Sequence, residues 1–320
     1  MKQWLVVLFS ALCVSTGSVG AQEWPTRPVK LIVPYPAGGG VDVMARALAQ
    51  RLQDKWQQPI TIDNRPGANT LIGTEAVAKA SDNHTLLFTT DATFTINPHL
   101  YSKLPYDAEK DFAPVTQLVA FSQMLVANAS LPANNLKDFI AYAKQHPGKL
   151  NYASQGNGSV SHIGTEIFKL QTGVNMVHVP YKGSGQAIAD VLAGQVEVFI
   201  TTPPSVMQHV QTGKLKALAV TGKSRHPGMP NVPTVAEAGL ANFELESWVA
   251  LYASAGTPPA VLQKLSLDVK RSMELPETKQ RADAAGIEVR YLSPNDTTKV
   301  LERETAEWAK AIKTANIKMD

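Results

Sequence analysis

Residues 31–56 read LIVPYPAGGGVDVMARALAQRLQDKW, and the expectations for the rest of the chain start from this stretch. The apolar run Val29–Val33 predicts a strand. Three glycines at 38–40 follow it, and a ligand can approach the main chain closely there. From Val41 onwards apolar residues recur at helical spacing. The pattern predicts a strand, a glycine loop and a helix, and the unpaired N–H groups at the helix start suit a carboxylate or a phosphate.

The glycine loop does not match the common nucleotide-binding motifs. No Gly-Lys-Ser/Thr follows it, and Val43 stands where the third glycine of a dinucleotide fingerprint would be. A tight turn without a ligand therefore remains the alternative interpretation. Asp42, in the first helical turn, is expected to complement the helix dipole, and to compete with a bound anion or orient a bridging water.

The first 21 residues have the pattern of a cleavable export signal. Lys2 precedes an apolar core at 5–14, and Val19-Gly20-Ala21 is a small-residue cleavage site. Cleavage would leave Gln22 at the N-terminus. Because Cys13 is the only cysteine, the mature chain is expected to have no disulfide, thiolate metal site or cysteine nucleophile.

The charge of the chain argues against a nucleic-acid partner, and its hydropathy argues against a membrane-spanning segment. The chain has 30 Lys and Arg residues against 27 Asp and Glu residues, and the basic residues form no cluster. We therefore expect no nucleic-acid partner. No apolar run after the signal reaches membrane-spanning length, which predicts a soluble, exported product. The mild positive charge is compatible with small acidic ligands.

Strand-like and helical patterns alternate along the mature chain, which predicts an α/β fold with parallel sheets and crossover helices. The third strand, at 85–89, is followed by a polar loop that contains Thr90, Asp91 and Thr93. In parallel sheets, ligands lie at the carboxyl ends of the strands. We therefore expect this loop and the glycine loop to converge on one ligand.

A second domain repeats the same unit, since a strand at 150–154 leads through the glycine-rich residues 155–159 into a helix. A strand-like segment at 246–253 would then carry the chain back to the first domain. Two such domains form a clamp that closes about a hinge. The predicted division is a signal at 1–21, a first domain at 22–121 plus 248–320, and a second domain at 122–247.

A search for catalytic and metal-binding motifs finds none that predicts an enzyme, and we expect neither a metal nor a cofactor. Ser159 and His162 are either a nucleophile and its base or a helix cap and a first-turn side chain. Lys182 either presents a cation to an acidic ligand or is solvated on a loop. Thr201 and Thr202 either bind a carboxylate or precede a helix that begins with proline.

Several short motifs, spread over the whole length, carry a resemblance to a known family. They are PYPAGGGVD at 34–42, NRPGA at 64–68, INP at 96–98 with LY at 100–101, LPYD at 104–107, KDF at 110–112, YKG at 181–183, GKL at 213–215, PT at 233–234 and EAG at 237–239. The sequence resembles the Bug family, the periplasmic solute receptors of tripartite tricarboxylate transporters.

The resemblance implies a two-domain, type II-like Venus flytrap fold with hinges near residues 120 and 247. It also implies a small organic anion in the cleft and a membrane permease, driven by an ion gradient, as partner. We expect a monomer that binds its ligand and catalyses no reaction. The candidate ligand-binding residues are Tyr35, Pro36, Ala37, Gly38, Gly39, Val41, Asp42, Thr90, Asp91, Thr93, Ser154, Gln155, Ser159, His162, Lys182, Thr201 and Thr202.

Two departures from the family pattern concern the ligand. Members that bind amino acids often have an aspartate where Thr201 stands, and the family usually has a threonine where Val41 follows the glycines. Both changes remove polar or charged groups, so we expect a ligand without an amine, such as a dicarboxylate, a tricarboxylate or an aromatic acid. Main-chain N–H groups and ordered water would bind it. A receptor for an ATP-driven importer and an exported α/β hydrolase are the alternatives.

Overall fold

The computed structural model describes residues 24–284, 287–315 and 317–318, so the expected signal at 1–21 lies outside the described residues. The strands are β1 (Val29–Val33), β2 (Ile60–Asn64), β3 (Thr85–Thr90), β4 (Phe112–Ser122), β5 (Met124–Asn128), β6 (Leu150–Ser154), β7 (Met176–Pro180), β8 (Val198–Thr201), β9 (Leu215–Val220), β10 (Glu246–Ser254) and β11 (Glu288–Leu292). The helices are α1 (Gly40–Trp56), α2 (Leu71–Ala78), α3 (Ala92–Thr95), α4 (Asn97–Leu100), α5 (Leu136–Gln145), α6 (Val160–Thr172), α7 (Ser184–Leu192), α8 (Pro203–Gln211), α9 (Pro259–Met273), α10 (Pro276–Ala284) and α11 (Pro294–Ala315).

The strands form two sheets, and each sheet with its helices is called a domain below. The first sheet has the order β11-β4-β10-β3-β1-β2 and the second has the order β7-β6-β8-β5-β9. The predicted two-domain α/β fold is confirmed. The prediction of parallel sheets is only partly correct, because β10 runs antiparallel to β3 and β4, and β5 runs antiparallel to β8 and β9.

The reversed strands follow from how the chain passes between the sheets. Only Gln123 separates the end of β4 from the start of β5, which leaves no room for a crossover helix. A strand that comes directly from the other sheet begins at the edge of its own sheet that faces that other sheet. The strands of βαβ units end at this same edge. β5 and β10 therefore point away from the space between the sheets.

The two segments that link the sheets, at Gln123 and at Leu245, are joined to each other through the side chain of Thr221. The N–H of Gln123 donates to Oγ1 of Thr221 at 2.8 Å, and this hydroxyl donates to the carbonyl of Leu245 at 2.5 Å. Arg290 of β11 forms an ion pair of 2.8 Å with Glu246 at the start of β10. These contacts hold the two linking segments side by side.

The first sheet is buried on both faces, and successive residues of β1 show this directly. Leu31 and Val33 pack into a core with α1 and α9, whereas Ile32, between them, packs with Phe94 and Trp248 on the opposite face. Such double burial is the reason that β1 is a continuous apolar run.

Two parts of the first domain differ from the sequence-based expectation. The segment after β3, expected to be a polar loop, contains the single-turn helices α3 and α4, which are too short to show a helical period. Strand β11 was not predicted, although Val289 and Tyr291 alternate with Glu288 and Arg290, which is the signal that could have found this edge strand. The last helix, α11, docks on the first domain as expected, and its Ile312 also packs near Ile163 of the second domain.

The contact of α2 with β1 yields a stability prediction. A Cβ added at Gly73 would lie 2.8 Å from Cβ of Pro34 and 3.0 Å from the carbonyl oxygen of Arg65. We expect Gly73→Ala to lower the free energy of unfolding by about 1–2 kcal/mol in urea denaturation, since overpacking outweighs the gain in helix propensity. The control is Gly185→Ala in α7, where the new methyl meets nothing within 4 Å. Equal stabilisation of both variants would contradict the packing described here.

Candidate ligand-binding site

The glycine loop of the first domain ends in a helix start that no side chain caps. Gly38 has φ +81°, a conformation that favours glycine, and Gly39 stands at the N-cap of α1 without a side-chain hydrogen bond. The first N–H groups of α1 have no acceptor within the helix. Pro36, Ala37 and the three glycines are exposed. This end of α1 therefore offers main-chain donors to an anion.

Asp42 supports the loop from within the protein and is only 1% exposed. Its Oδ2 accepts hydrogen bonds from the N–H of Gly38 at 2.8 Å and from Nε of Arg46 at 2.9 Å, and its Oδ1 accepts one from Nδ2 of Asn64 at 2.9 Å. Burial alone would raise the pKa of Asp42, but these hydrogen bonds hold it below its usual value. The expectation that Asp42 competes with the anion is corrected, because its oxygens bind the protein itself.

A chain of hydroxyl groups joins the glycine loop to the end of β3. The hydroxyl of Tyr35 lies 2.8 Å from Oγ1 of Thr90 and 3.5 Å from Oγ1 of Thr89. Oγ1 of Thr93 lies 2.6 Å from Oγ1 of Thr89 and 3.0 Å from Oγ1 of Thr70. Burial raises the pKa of Tyr35, so its hydroxyl keeps its proton. The structure thus brings the two predicted loops of this domain together, with Thr90 half-buried and Thr93 buried.

A strained turn beside this chain was not recognised as part of the site. Ala68, Asn69 and Thr70 have φ of +45°, +50° and +77°, which is uncommon for residues other than glycine. The side-chain amide of Asn97 donates to the carbonyl of Asn69 at 2.7 Å and to Oγ1 of Thr70 at 3.2 Å. Backbone strain of this kind concentrates at functional sites. Neither Asn69 nor Thr70 was among the candidate residues from the sequence.

The strained turn also meets the second domain. Nδ2 of Asn69 lies 3.4 Å from the carbonyl oxygen of Gly158, within the second glycine-rich loop. Beside this contact Ile96 of the first domain and Ile163 of α6 belong to one apolar cluster. The turn at 68–70 of the first domain is therefore in contact with the glycine-rich loop of the second domain.

The second glycine-rich loop is held by its own side chains. Oγ of Ser159 accepts a hydrogen bond from the N–H of His162 at 3.3 Å and donates to the carbonyl of Gly156 at 2.7 Å. Ser159 is therefore the N-cap of α6, which supports the capping interpretation over the nucleophile. Nε2 of Gln155 donates a hydrogen bond of 2.8 Å to Oγ of Ser184, at the start of α7. Ser154 is fully buried.

Three further predicted residues lie near the carboxyl ends of β7 and β8. Lys182 follows β7 and is exposed. Thr201 ends β8 and is fully buried, and its hydroxyl has no hydrogen-bond partner among the described residues. Oγ1 of Thr202 lies 2.8 Å from Oγ of Ser205, in the first turn of α8. The structure thus leaves the hydroxyl of Thr201 without a protein partner.

Asp91, the remaining predicted residue, lies in the interior of the first domain and is fully buried. Its Oδ1 accepts a hydrogen bond of 3.3 Å from the N–H of Trp248, and its Oδ2 has no partner among the described residues. Burial, together with the nearby Glu304, raises the pKa of Asp91 well above its usual value. The carboxyl group supports the return strand β10, a role that the sequence did not indicate.

This burial predicts an unusual pH dependence. Because the pKa of Asp91 is higher in the folded state than in the unfolded state, its contribution to stability is fully present in acid and is lost as the pH rises through the folded pKa. We expect Asp91→Asn to raise the free energy of unfolding at pH 8 by about 1–3 kcal/mol, the scale for a buried polar group. Urea denaturation across pH 5–8 tests this. The exposed Asp54→Asn is the control, and a loss of stability in Asp91→Asn at pH 8 would contradict the prediction.

The other end of α1 carries surface depressions of its own. Two surface depressions of about 270 and 370 Å³ flank the C-terminal end of α1. Since α1 has 17 residues, they lie roughly 25 Å from the glycine loop. No group of three or more His, Cys, Asp and Glu side chains within 24–284, 287–315 and 317–318 could hold a metal ion. None of the helices in these ranges is long and apolar enough to cross a membrane.

Two α/β domains that meet beside a glycine-rich loop are the architecture expected of a solute receptor, and the comparisons with known proteins agree. Residues 44–317 match the family model described as tripartite tricarboxylate transporter family receptor. The structure of Rpa4515 from R. palustris with adipate is 35% identical, with a TM-score of 0.87 over 93% of this chain and 100% of that one. The periplasmic binding protein BugD is 31% identical, with a TM-score of 0.83 over 92% of this chain and 100% of that one. MatC (Rpa3494) from Rhodopseudomonas palustris with bound malate is 31% identical, with a TM-score of 0.82 over 90% of this chain and 100% of that one.

The chain belongs to the tripartite tricarboxylate transporter receptor family. The resemblance to the Bug proteins is thereby confirmed. The family consists of periplasmic solute-binding receptors, which are not enzymes.

Proposed function

We propose that this receptor captures a small organic anion without an amine, namely a dicarboxylate, a tricarboxylate or an aromatic carboxylate, between its two domains. It then delivers this ligand to the membrane permease subunits of a tripartite transporter. Export through the signal at 1–21 would place it in the periplasm as a monomer. The two arms of the clamp are 22–121 plus 248–320 and 122–247.

One observation carries the proposal. The uncapped start of α1 and the loop before α6 each follow a strand of a different domain, and the turn at 68–70 of the first domain comes within 3.4 Å of Gly158 in the loop before α6. Each region presents main-chain N–H groups and the positive end of a helix dipole. An anion with two separated carboxylates could therefore bind the start of α1 with one carboxylate and the start of α6 with the other.

The charges around the cleft favour a ligand that lacks an amine. The carboxylate of Asp42 is used by Gly38, Arg46 and Asn64, and Asp91 is buried against Trp248. An ammonium group needs an acidic partner in a desolvated site. The adipate and malate named for two similar structures are dicarboxylates without an amine, which supports the same class of ligand here.

Thermal unfolding of the mature protein tests the proposal against mono-, di-, tri- and aromatic carboxylates and amino acids. A ligand at about 100 times its Kd adds about 2.7 kcal/mol to the free energy of unfolding, which raises the midpoint by several degrees. We expect dicarboxylates, tricarboxylates or aromatic acids to give this shift. Mass spectrometry after denaturation first establishes that the cleft carries no co-purified ligand. Tight binding of an amino acid without any response to these acids would refute the proposal.

A further inference from the structure

Three rings stack beneath the glycine-rich loop of the second domain. Tyr152 of β6 and His178 of β7 are paired in register and stack with a centroid distance of 4.8 Å and an angle of 17°. His178 stacks in turn on His162 of α6, at 4.0 Å and 8°. The rings of Tyr152, His178 and His162 thus form a continuous column from the sheet to the first turn of α6.

Hydrogen bonds attach this column to the loop at two points. Nδ1 of His162 accepts a hydrogen bond of 3.1 Å from the N–H of Gly158. Nε2 of His178 lies 2.6 Å from Oγ of Ser154, which also accepts from the N–H of Gly156 at 3.2 Å. Gly156 and Gly158 have φ of +124° and +75°. The loop conformation therefore depends on contacts with both rings.

The bond to Gly158 fixes the protonation state of His162. A ring nitrogen accepts a hydrogen bond only when it carries no proton, so His162 must be neutral with its proton on Nε2. Burial lowers the pKa of His162, and burial together with His162 lowers the pKa of His178 to about 4. Glu166 is the nearby acid, but it is paired with Lys169 at 2.7 Å and accepts a hydrogen bond from Tyr152. The surroundings of the column thus favour two neutral rings.

We propose that His162 and His178 are positioning residues for the ligand: His162 holds Gly158 and thereby keeps the loop open to a carboxylate, and His178 covers the ring of His162 and keeps it neutral. This inference rests on the proposed carboxylate binding and adds a proton-sensitive support to it. A proton on Nδ1 would place two N–H groups against each other and release Gly158. Ligand affinity should therefore fall in acid, as His162 becomes protonated.

Two substitutions at His162 separate a hydrogen-bonding role from simple packing. In His162→Asn the side-chain oxygen can accept from Gly158 and does not titrate, whereas His162→Phe keeps the stack but has no acceptor. By calorimetry at pH 7.5 we expect His162→Phe to bind the carboxylate about tenfold more weakly, the worth of one hydrogen bond. We expect His162→Asn to recover most of that loss and to lose less affinity than the wild-type protein as the pH falls from 7.5 to 4.5, a range in which the carboxylates of the ligand also take up protons. Thermal unfolding of both variants establishes that they are folded.

His178→Ala tests the second half of the proposal. Removing this ring exposes one face of His162 to water, so the decline of affinity in acid should move to higher pH. A decline at the same pH as in the wild-type protein would refute the role of His178.

Amide exchange of Gly158 in the ligand-free protein provides a readout that does not depend on the ligand. We expect this N–H to be protected in the wild-type protein and in His162→Asn, and to exchange faster in His162→Phe. Equal protection and equal affinity in all three proteins would overturn the inference while leaving the proposed function intact. A wild-type protein that binds no carboxylate would instead refute the proposed function, and the inference with it.

Discussion

Replacing Gly39 by valine removes carboxylate binding while the protein stays folded. Gly39 has φ −73° and ψ 164°, an extended conformation that any residue adopts, and an added Cβ would lie 3.4 Å from the carbonyl oxygen of Pro36. The chain itself therefore tolerates the side chain. Its two methyl groups would occupy the space in front of the first N–H groups of α1. We expect at least about a hundredfold loss of affinity, or about 2.7 kcal/mol, in calorimetric titration.

The matched control for this variant is Gly256→Val. Gly256 is exposed in the turn after β10, and an added Cβ meets nothing within 4 Å. Because β10 runs away from the cleft, this turn lies at the opposite edge of the first sheet. The control should bind as the wild-type protein does. If Gly39→Val also keeps wild-type affinity, the glycine loop is not part of the site.

Removing the carboxylate of Asp42 should impair both stability and binding. Asp42→Ala leaves the half-buried amide of Asn64 without this acceptor and frees the N–H of Gly38, so the loop loses its support. We expect the free energy of unfolding to fall by about 2–3 kcal/mol at pH 7, the scale of hydrogen bonds to a charged group. Affinity for the carboxylate should fall at least about tenfold, the effect of some 1.4 kcal/mol, because the loop is less often in its binding conformation.

The pH dependence distinguishes this explanation from a simple loss of packing. Since the pKa of Asp42 is lower in the folded state, its stabilisation is present above the ordinary pKa of aspartate and is lost as the pH falls through the folded pKa. The stability difference between wild type and Asp42→Ala should therefore shrink in acid, as urea denaturation at pH 7 and pH 3 would show. Asp54→Ala, on the exposed side of the same helix, is the control. A difference that is constant over this range would contradict the electrostatic account.

Local patterns predicted many element boundaries because local chemistry determines them. Strands β1 and β6 begin and end at the predicted residues, since apolar runs are interrupted there by proline or by a glycine-rich loop. Helix α5 shows the same local control, because it begins after Asn135, whose side chain accepts a hydrogen bond from the N–H of Asp138.

Features that depend on distant partners were not predictable in this way. The turn at 68–70 has no glycine after Gly67, and its left-handed residues are held by Asn97, which lies 27–28 positions further along the chain. No local pattern indicates such an arrangement. The reversed direction of β5 and β10 likewise depends on the path of the chain between two sheets, which strand patterns do not encode.

In the candidate site, too, the features set by local sequence were predicted and those that depend on distant partners were not. Its glycine loops were found because glycine before a helix has a local meaning, and the structure brings Tyr35, Thr90 and Thr93 together as expected. Asp42 and Asp91 were candidate ligand residues because they lie in the two loops that were expected to converge on the ligand. Their burial follows from Asn64 and Trp248, which no local pattern connects to them.

Hydrogen exchange with mass spectrometry, with and without the best carboxylate from the unfolding screen, tests the central claim most directly. If one ligand lies between the domains, peptides that cover 38–43 and peptides that cover 156–162 should become protected together at the same ligand concentration. Protection of one domain alone, or of the surface around 53–59, would contradict a ligand held between the two glycine-rich loops.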